Sequence, residues 1–284
     1  MQPLANACVG PARTIAAVSL ALLCSAFVVS TAAQDPGAEA FAREVDMRLE
    51  LPVQEQADYA KRLESTLAIA AIADSRPQYF VLVDRSPRIQ AAFVYWRSAD
   101  AVWHFIGASP SSTGRPGRYD YFVTPLGLFA HSVTSMDFRA EGTRNALGVL
   151  GYGRKGMRVY DFCWVMAERG WGRRGLSLMR LQLHATDPGL LEPLLGSRRS
   201  KGCIRIAASL NDFIDRHGLL DAEYEAAVRA GQHLWVLRAD REPTPSPGRW
   251  MAIVDSGRTV RPAWSPTRPQ RRSGPAPIKI GAVC

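Results

Sequence analysis

Two residues whose types allow covalent chemistry stand at the edges of short strand-like runs. His184 ends the alternating run Leu181-Gln182-Leu183-His184. Cys203 closes the tight turn Ser200-Lys201-Gly202-Cys203, ahead of Ile204-Arg205-Ile206. A stretch punctuated by Pro188, Gly189, Pro193 and Gly196 joins them. A thiol is mostly protonated near neutral pH, so it needs a neighbouring base or positive charge to become nucleophilic. In this reading Cys203 is the nucleophile. His184 takes the thiol proton and returns it to a leaving amine. Gly202 permits close approach of a substrate, and the amides of Gly202 and Cys203 are expected to form an oxyanion hole. Ser200 organises the turn. Residues two apart on a strand share a face, which puts Lys201 and Arg205 beside Cys203. Lys201 is expected to support the thiolate or oxyanion, and Arg205 to bind a substrate carboxylate. Ala185 has no side chain to orient His184, so a backbone carbonyl is expected to do so.

The run His184, then Ser200-Lys201-Gly202-Cys203-Ile204-Arg205 resembles the catalytic segment of the YkuD-type L,D-transpeptidase family. That family has a histidine, an interval, then Ser/Thr-His-Gly-Cys-hydrophobic-Arg/Asn. Lys201 departs from it, standing where the family usually has a second histidine. An upstream block carries the likeness further: the Tyr79-to-Asp84 hairpin strand, then Ser112-Thr113-Gly114-Arg115-Pro116-Gly117, then Thr124-Pro125-Leu126-Gly127-Leu128-Phe129. The resemblance spans roughly Tyr79 to Leu237. It implies cysteine-dependent acyl transfer from a peptidoglycan tetrapeptide stem to an amine, giving a 3→3 cross-link or anchoring an envelope protein. It implies no cofactor. Two alternatives stay open: a cysteine hydrolase of the same fold, cleaving stem-peptide or wall-protein linkages, and a non-catalytic peptidoglycan-binding module.

The elements that must position these residues read as mainly β. Runs over Tyr79–Asp84, Ile89–Trp96 and Ala101–Ala108 are separated by Ser86-Pro87 and Ser98-Ala99-Asp100, the pattern of antiparallel strands in a sandwich or barrel. Ser111–Gly117 reads as a loop. Gly151-Tyr152-Gly153-Arg154-Lys155-Gly156 spells a dinucleotide fingerprint, but a β-like run follows it instead of a helix, so it reads as a turn. Cys163 and Trp164 are expected in the core. The Trp171-Gly172-Arg173-Arg174-Gly175 stretch reads as a loop. Flanking helices are expected over Gln34–Ala73, interrupted at Leu51-Pro52, over Ala208–Arg216 with Asn211, Asp212, Asp215 and Arg216 outward, and from an Asp221 cap to Arg229. Gly218 is expected to stop the Ala208–Arg216 helix. His233–Leu237 is expected to be the last strand. This divides the chain into a signal peptide (1–33), an N-terminal helical segment (34–76), a catalytic domain (77–240) and a flexible Pro/Arg-rich tail (241–284).

Composition bounds the setting. Arg13 is the only charge before Asp35, and an apolar run Ile15–Val29 leads to Ser30-Thr31-Ala32-Ala33, the layout of a secretory signal cleaved near Ala33. Leu23 is too large for lipid attachment at Cys24. Export to the periplasm or cell envelope follows, with no transmembrane segment after signal removal. Loss of Cys8 and Cys24 leaves Cys163, Cys203 and Cys284, too few for a disulfide framework and compatible with a free thiol. A net charge of +9 favours polyanionic neighbours, of which export makes cell-wall polymer or lipid head groups the expected ones and nucleic acid the excluded one. His104, His131, His217 and His233 have no spacing that suggests a metal site.

Overall fold

The computed structural model describes residues 37–134 and 137–266, all within one compact unit of the chain, Asp35–Cys284. The expected signal segment, Cys284 and the end of the tail lie outside the described residues. The helices are α1 (Gly37–Glu44), α2 (Val53–Ile69), α3 (Ala208–Arg216) and α4 (Ala222–Arg229). The strands are β1 (Gln78–Asp84), β2 (Ala91–Arg97), β3 (Trp103–Ser112), β4 (Gly127–Ala130), β5 (Phe138–Arg139), β6 (Arg158–Glu168), β7 (Leu176–Ala185), β8 (Ile204–Ile206) and β9 (Trp250–Val254). They form one curled sheet in the order β4-β9-β1-β2-β3-β8-β7-β6-β5, so the protein is mainly β. The first three strands pair antiparallel, as expected, while β1 with β9 and β7 with β8 run parallel.

Every residue of β1 is buried, because the sheet is covered on both faces. Strand alternation divides its side chains between two cores. Tyr79, Val81 and Val83 enter one core with Leu183, Ile204, Ile206 and, from α3, Leu210, Phe213 and Ile214. Phe80 and Leu82 enter the other with Phe93, Tyr95 and, from α2, Tyr59, Leu63 and Leu67. α1 ends at Glu44, well before Pro52, which stands at the start of α2, where its missing amide costs no helical hydrogen bond. Phe41 of α1 meets Phe213 of α3 edge to face at 5.3 Å.

Several expectations fail for identifiable reasons. The tail boundary at 240 is wrong for the described part: β9 lies between β4 and β1, with Val81 against Met251 and Val83 against Ile253. The expected strand His233–Leu237 is a turn. β3 runs to Ser112, beyond the expected start of the loop at Ser111, because Ser111 and Ser112 pair with Ile206 and Arg205 of β8. Asn211 and Asp215 point inward instead of outward. Asp215 joins a buried ionic cluster in which Arg158 Nε donates to Asp137 Oδ2 at 2.9 Å and Nη1 to Asp221 Oδ2 at 2.7 Å. Asp221 therefore precedes α4 without capping it by its side chain. His131 stands in the same cluster, 2.9 Å from Asp137 Oδ2 through Nε2. Gly218, at φ +57°, does end α3.

Cys163 and Trp164 are not core residues. The β6–β7 register passes from Asp161↔Gln182 to Trp164↔Arg180, so β6 carries one extra residue there, and Cys163 has φ +64°. A bulge of this kind reverses which alternate side chains face which side. Val165 and Ala167 turn to the core, and Trp164 and Met166 turn outward, 64% and 53% exposed.

Candidate active site

The site forms where β3, β8 and β7 adjoin in the middle of the sheet. Two loops are zipped together there. Gly114 bridges Ser200, Phe122 N donates to Lys201 O at 2.7 Å, and Arg115 N donates to Ser200 O at 3.0 Å. Thr124 Oγ1 accepts from Gly114 N at 2.8 Å and donates to Gly202 O at 2.6 Å. The backbones come so close that a Cβ on Gly114 would collide with the Phe122 carbonyl oxygen. Gly202, at φ +145°, has the backbone angle that L side chains avoid, and a Cβ there would lie 3.1 Å from Phe122 Cβ and 2.7 Å from Met179 Cε.

The parallel register sets His184 beside Arg205 and Leu183 beside Ile204, which leaves Cys203 level with Gln182. By strand alternation Arg180, Gln182 and His184 share one face of β7, and Cys203 and Arg205 share the same face of the neighbouring chain. The thiol is in no disulfide and is 3% exposed, and its Sγ donates to Arg180 O at 3.6 Å with Gln182 Oε1 at 4.0 Å. His184 is fully buried. Its Nδ1 lies 2.6 Å from Ala185 O, so that nitrogen carries the proton and the carbonyl accepts it. A carbonyl does orient His184, and it belongs to Ala185. The other ring nitrogen, Nε2, is buried and makes no hydrogen bond, to the thiol or to any other group. Burial pushes the imidazole pKa down to about 3, the neighbouring Arg205 charge adds to this, and the Ala185 carbonyl opposes it. The ring is therefore neutral, in the tautomer that presents a lone pair at Nε2.

The other expected members are placed as follows. Ser200 organises the turn: its Oγ donates to Cys203 O at 2.5 Å and accepts from Gly202 N at 3.1 Å. The Gly202 amide is thereby engaged, which removes it from the expected oxyanion hole. Lys201 turns toward the adjoining loop and pairs with Asp120 at 2.9 Å, so its charge is shared with a carboxylate instead of being directed at Cys203 alone. Arg205 is 4% exposed, too enclosed to present its fork to a substrate carboxylate, and acts instead on His184. Among the described residues no group of three or more His, Cys, Asp or Glu is placed to hold a metal ion.

The sequence reading missed the residues that build the walls. Asp161 Oδ2 accepts from Arg180 Nε at 2.6 Å and from Gln182 Nε2 at 3.0 Å. Gln182 is thus held with its carbonyl oxygen toward the thiol. Tyr152 OH donates to that same oxygen at 3.3 Å, and its ring packs edge to face on His184 at 4.7 Å. Gln182 and Arg180 were findable by counting back in twos from His184. Asp161 and Tyr152 were not, since only the fold brings them to this face.

No protein-family model matches the chain, and comparison with curated proteins finds no relative. The functional reading therefore stands on the site itself and on the resemblance of its motif.

Proposed function

We propose that the protein is an L,D-transpeptidase-like acyltransferase acting on peptidoglycan stem peptides in the cell envelope. The observation that carries this reading is the state of His184. It is neutral, its Nδ1–H is held by a carbonyl, and its Nε2 lone pair is unspent on the face that bears the Cys203 thiol. An imidazole with one nitrogen held by a carbonyl and the other with an unspent lone pair is arranged to carry a proton.

In the reaction, Cys203 Sγ attacks the carbonyl of the third stem residue and its proton passes to His184 Nε2. An S–C bond forms, the peptide C–N bond breaks, and the proton leaves with the terminal D-residue's amine. An acceptor amine then attacks the thioester, gives its proton to His184, and releases Cys203 as a thiol. Burial, aided by the Arg205 charge, keeps the imidazole neutral between turnovers, and Asp161 fixes Gln182 beside the thiol. Nothing in the chemistry calls for a cofactor.

The test is intact mass of the exported form incubated with tetrapeptide-stem muropeptides, with Cys203→Ala in parallel. An acyl adduct on the parent alone, resolving to a cross-linked dimer with release of the D-amino acid, is the expected result. An adduct resolving only to a shortened stem makes the protein a hydrolase of the same fold. Retention on peptidoglycan by both proteins without any adduct makes it a binding module.

A further inference from the structure

The face of β7 that holds Arg180, Gln182 and His184 continues outward to Leu178 and Leu176. Across the ribbon, Met166 is opposite Leu178, and Trp164 is opposite Arg180. These four large apolar side chains are exposed, Leu176 at 66% and Leu178 at 58% beside the tryptophan and methionine. The bulge at Asp161–Trp164 creates the strip by turning Trp164 and Met166 to this face. It begins with Trp164, about 7 Å from the level of the thiol, two strand residues from Gln182 to Arg180. Surface apolar residues scattered singly need no explanation, but a contiguous patch does.

The strip also has an open side. β5 pairs β6 only at Arg158 and Val159, and at the other end Val123 N donates to Glu168 O at 2.9 Å. From Trp164 to Ala167 no strand of the described residues pairs the outer edge of β6. Since the Glu168 carbonyl points outward, the main-chain groups of Met166 and Trp164 do too, by the period of two. Arg169, Arg173 and Arg174 crowd the β6–β7 turn beyond.

We propose that this ribbon is a docking surface for an extended segment of another protein, which adds as a strand to the outer edge of β6. The segment carries apolar side chains at alternate positions, to lie on Trp164, Met166 and Leu178, and acidic residues at the end over the arginine-rich turn. Its other end points down the ribbon toward the level of Cys203, two strands in from the β6 edge, for delivery to the thiol. That last statement rests on the proposed acyl transfer; the docking does not. A lipid surface fits less well, because main-chain groups at an open edge lose their water in hydrocarbon at a cost of several kcal/mol each, whereas an added strand bonds them. A hydrophilic sugar–peptide chain has no use for the aliphatic part of the strip.

The test uses the full chain carrying Cys203→Ala, so that no chemistry intervenes. The probe is a fluorescein-labelled decapeptide alternating valine and threonine, with two glutamates at one end and a lysine at the other. Fluorescence anisotropy is expected to show binding that weakens at least tenfold in Trp164→Ser/Leu178→Ser. It is expected to weaken similarly in Met166→Pro, which removes an outward amide without breaking a bond to β7. Thermal unfolding of each variant checks that the fold persists. Equal binding of a peptide with the valines in one block, or no effect of either variant, overturns the proposal. So does binding of anionic phosphatidylglycerol vesicles in place of the peptide, or self-association broken by Met166→Pro. With a tetrapeptide-stem muropeptide added as acyl donor, an adduct on the Cys203 protein that never passes to the bound peptide's lysine overturns the delivery to the thiol and leaves the docking surface standing, whereas peptide binding with no adduct at all refutes the acyl-transfer reading alone.

Discussion

His184 is held neutral by burial, and that has two consequences at the scale of the residue. In catalysis, a base with a pKa near 3 keeps its lone pair throughout the physiological range. The acid limb of the proposed activity should thus lie well below the ordinary histidine value of 6.5, and a pH profile of muropeptide turnover tests this. His184→Gln should lower that turnover by about 10²- to 10⁴-fold, the usual share of a positioned proton carrier. In stability, the folded pKa lies below the unfolded one. The contribution of the neutral ring is complete above pH 6.5 and is lost progressively as pH falls from 6.5 toward 3, at up to about 1.4 kcal/mol per pH unit. Urea unfolding at a series of pH values should show a shallower decline for His184→Gln in that window. Gly202→Ala should cost about 1–3 kcal/mol, because its φ of +145° suits no side chain and Phe122 Cβ stands in the way.

At the scale of the element, the loop that carries Cys203 is fastened by main-chain bonds to Thr113, Arg115 and Phe122 together with side-chain-to-backbone bonds from Thr124 and Ser200. β8 is only three residues long. Thr124 is the main fastener, since one hydroxyl serves both the Gly114 amide and the Gly202 carbonyl. Thr124→Val keeps the shape and leaves two buried main-chain groups unpaired, at about 1–3 kcal/mol each. Faster alkylation of Cys203 by iodoacetamide, with a lowered melting temperature, is the expected outcome. The strand-like runs of β1, β2 and β3 and the helix α3 were readable because their apolar spacing and turn residues are local signals. The bulge in β6 was not. Nothing in Asp161-Phe162-Cys163-Trp164 announces an extra residue, and the reversal it causes turned an expected core tryptophan into an exposed one.

At the scale of the whole molecule, two long-range features decide integrity. Arg158 is fully buried among Asp137, Asp215 and Asp221, which come from three different parts of the chain. Arg158→Met removes the cation and leaves the carboxylates facing one another. A loss of about 3–5 kcal/mol is expected in denaturant unfolding, as for other broken buried pairs. β9 fills the place between β4 and β1, so a chain ending at Arg241 should lose cooperative unfolding, measured by calorimetry. Among the described residues no helix is long and apolar enough to cross a membrane.

The sequence by itself determined the chemistry on offer and most of the elements. Cys203 and His184 declare themselves by type, and Ser200 and Gly202 by their place in the turn. Alternation and turn residues declare the strands. These properties are local, set by side-chain volume, backbone freedom and a period of two or 3.6. Only the tertiary structure decided how charge and polarity are spent. Lys201 meets Asp120, the Gly202 amide meets Ser200, Arg205 is buried against His184, and Asp161 and Tyr152 arrive from distant segments to shape the thiol's surroundings. A charge or hydrogen bond acts on whatever the fold brings within a few ångströms, and proximity of that kind is a property of the packed chain, not of residue order.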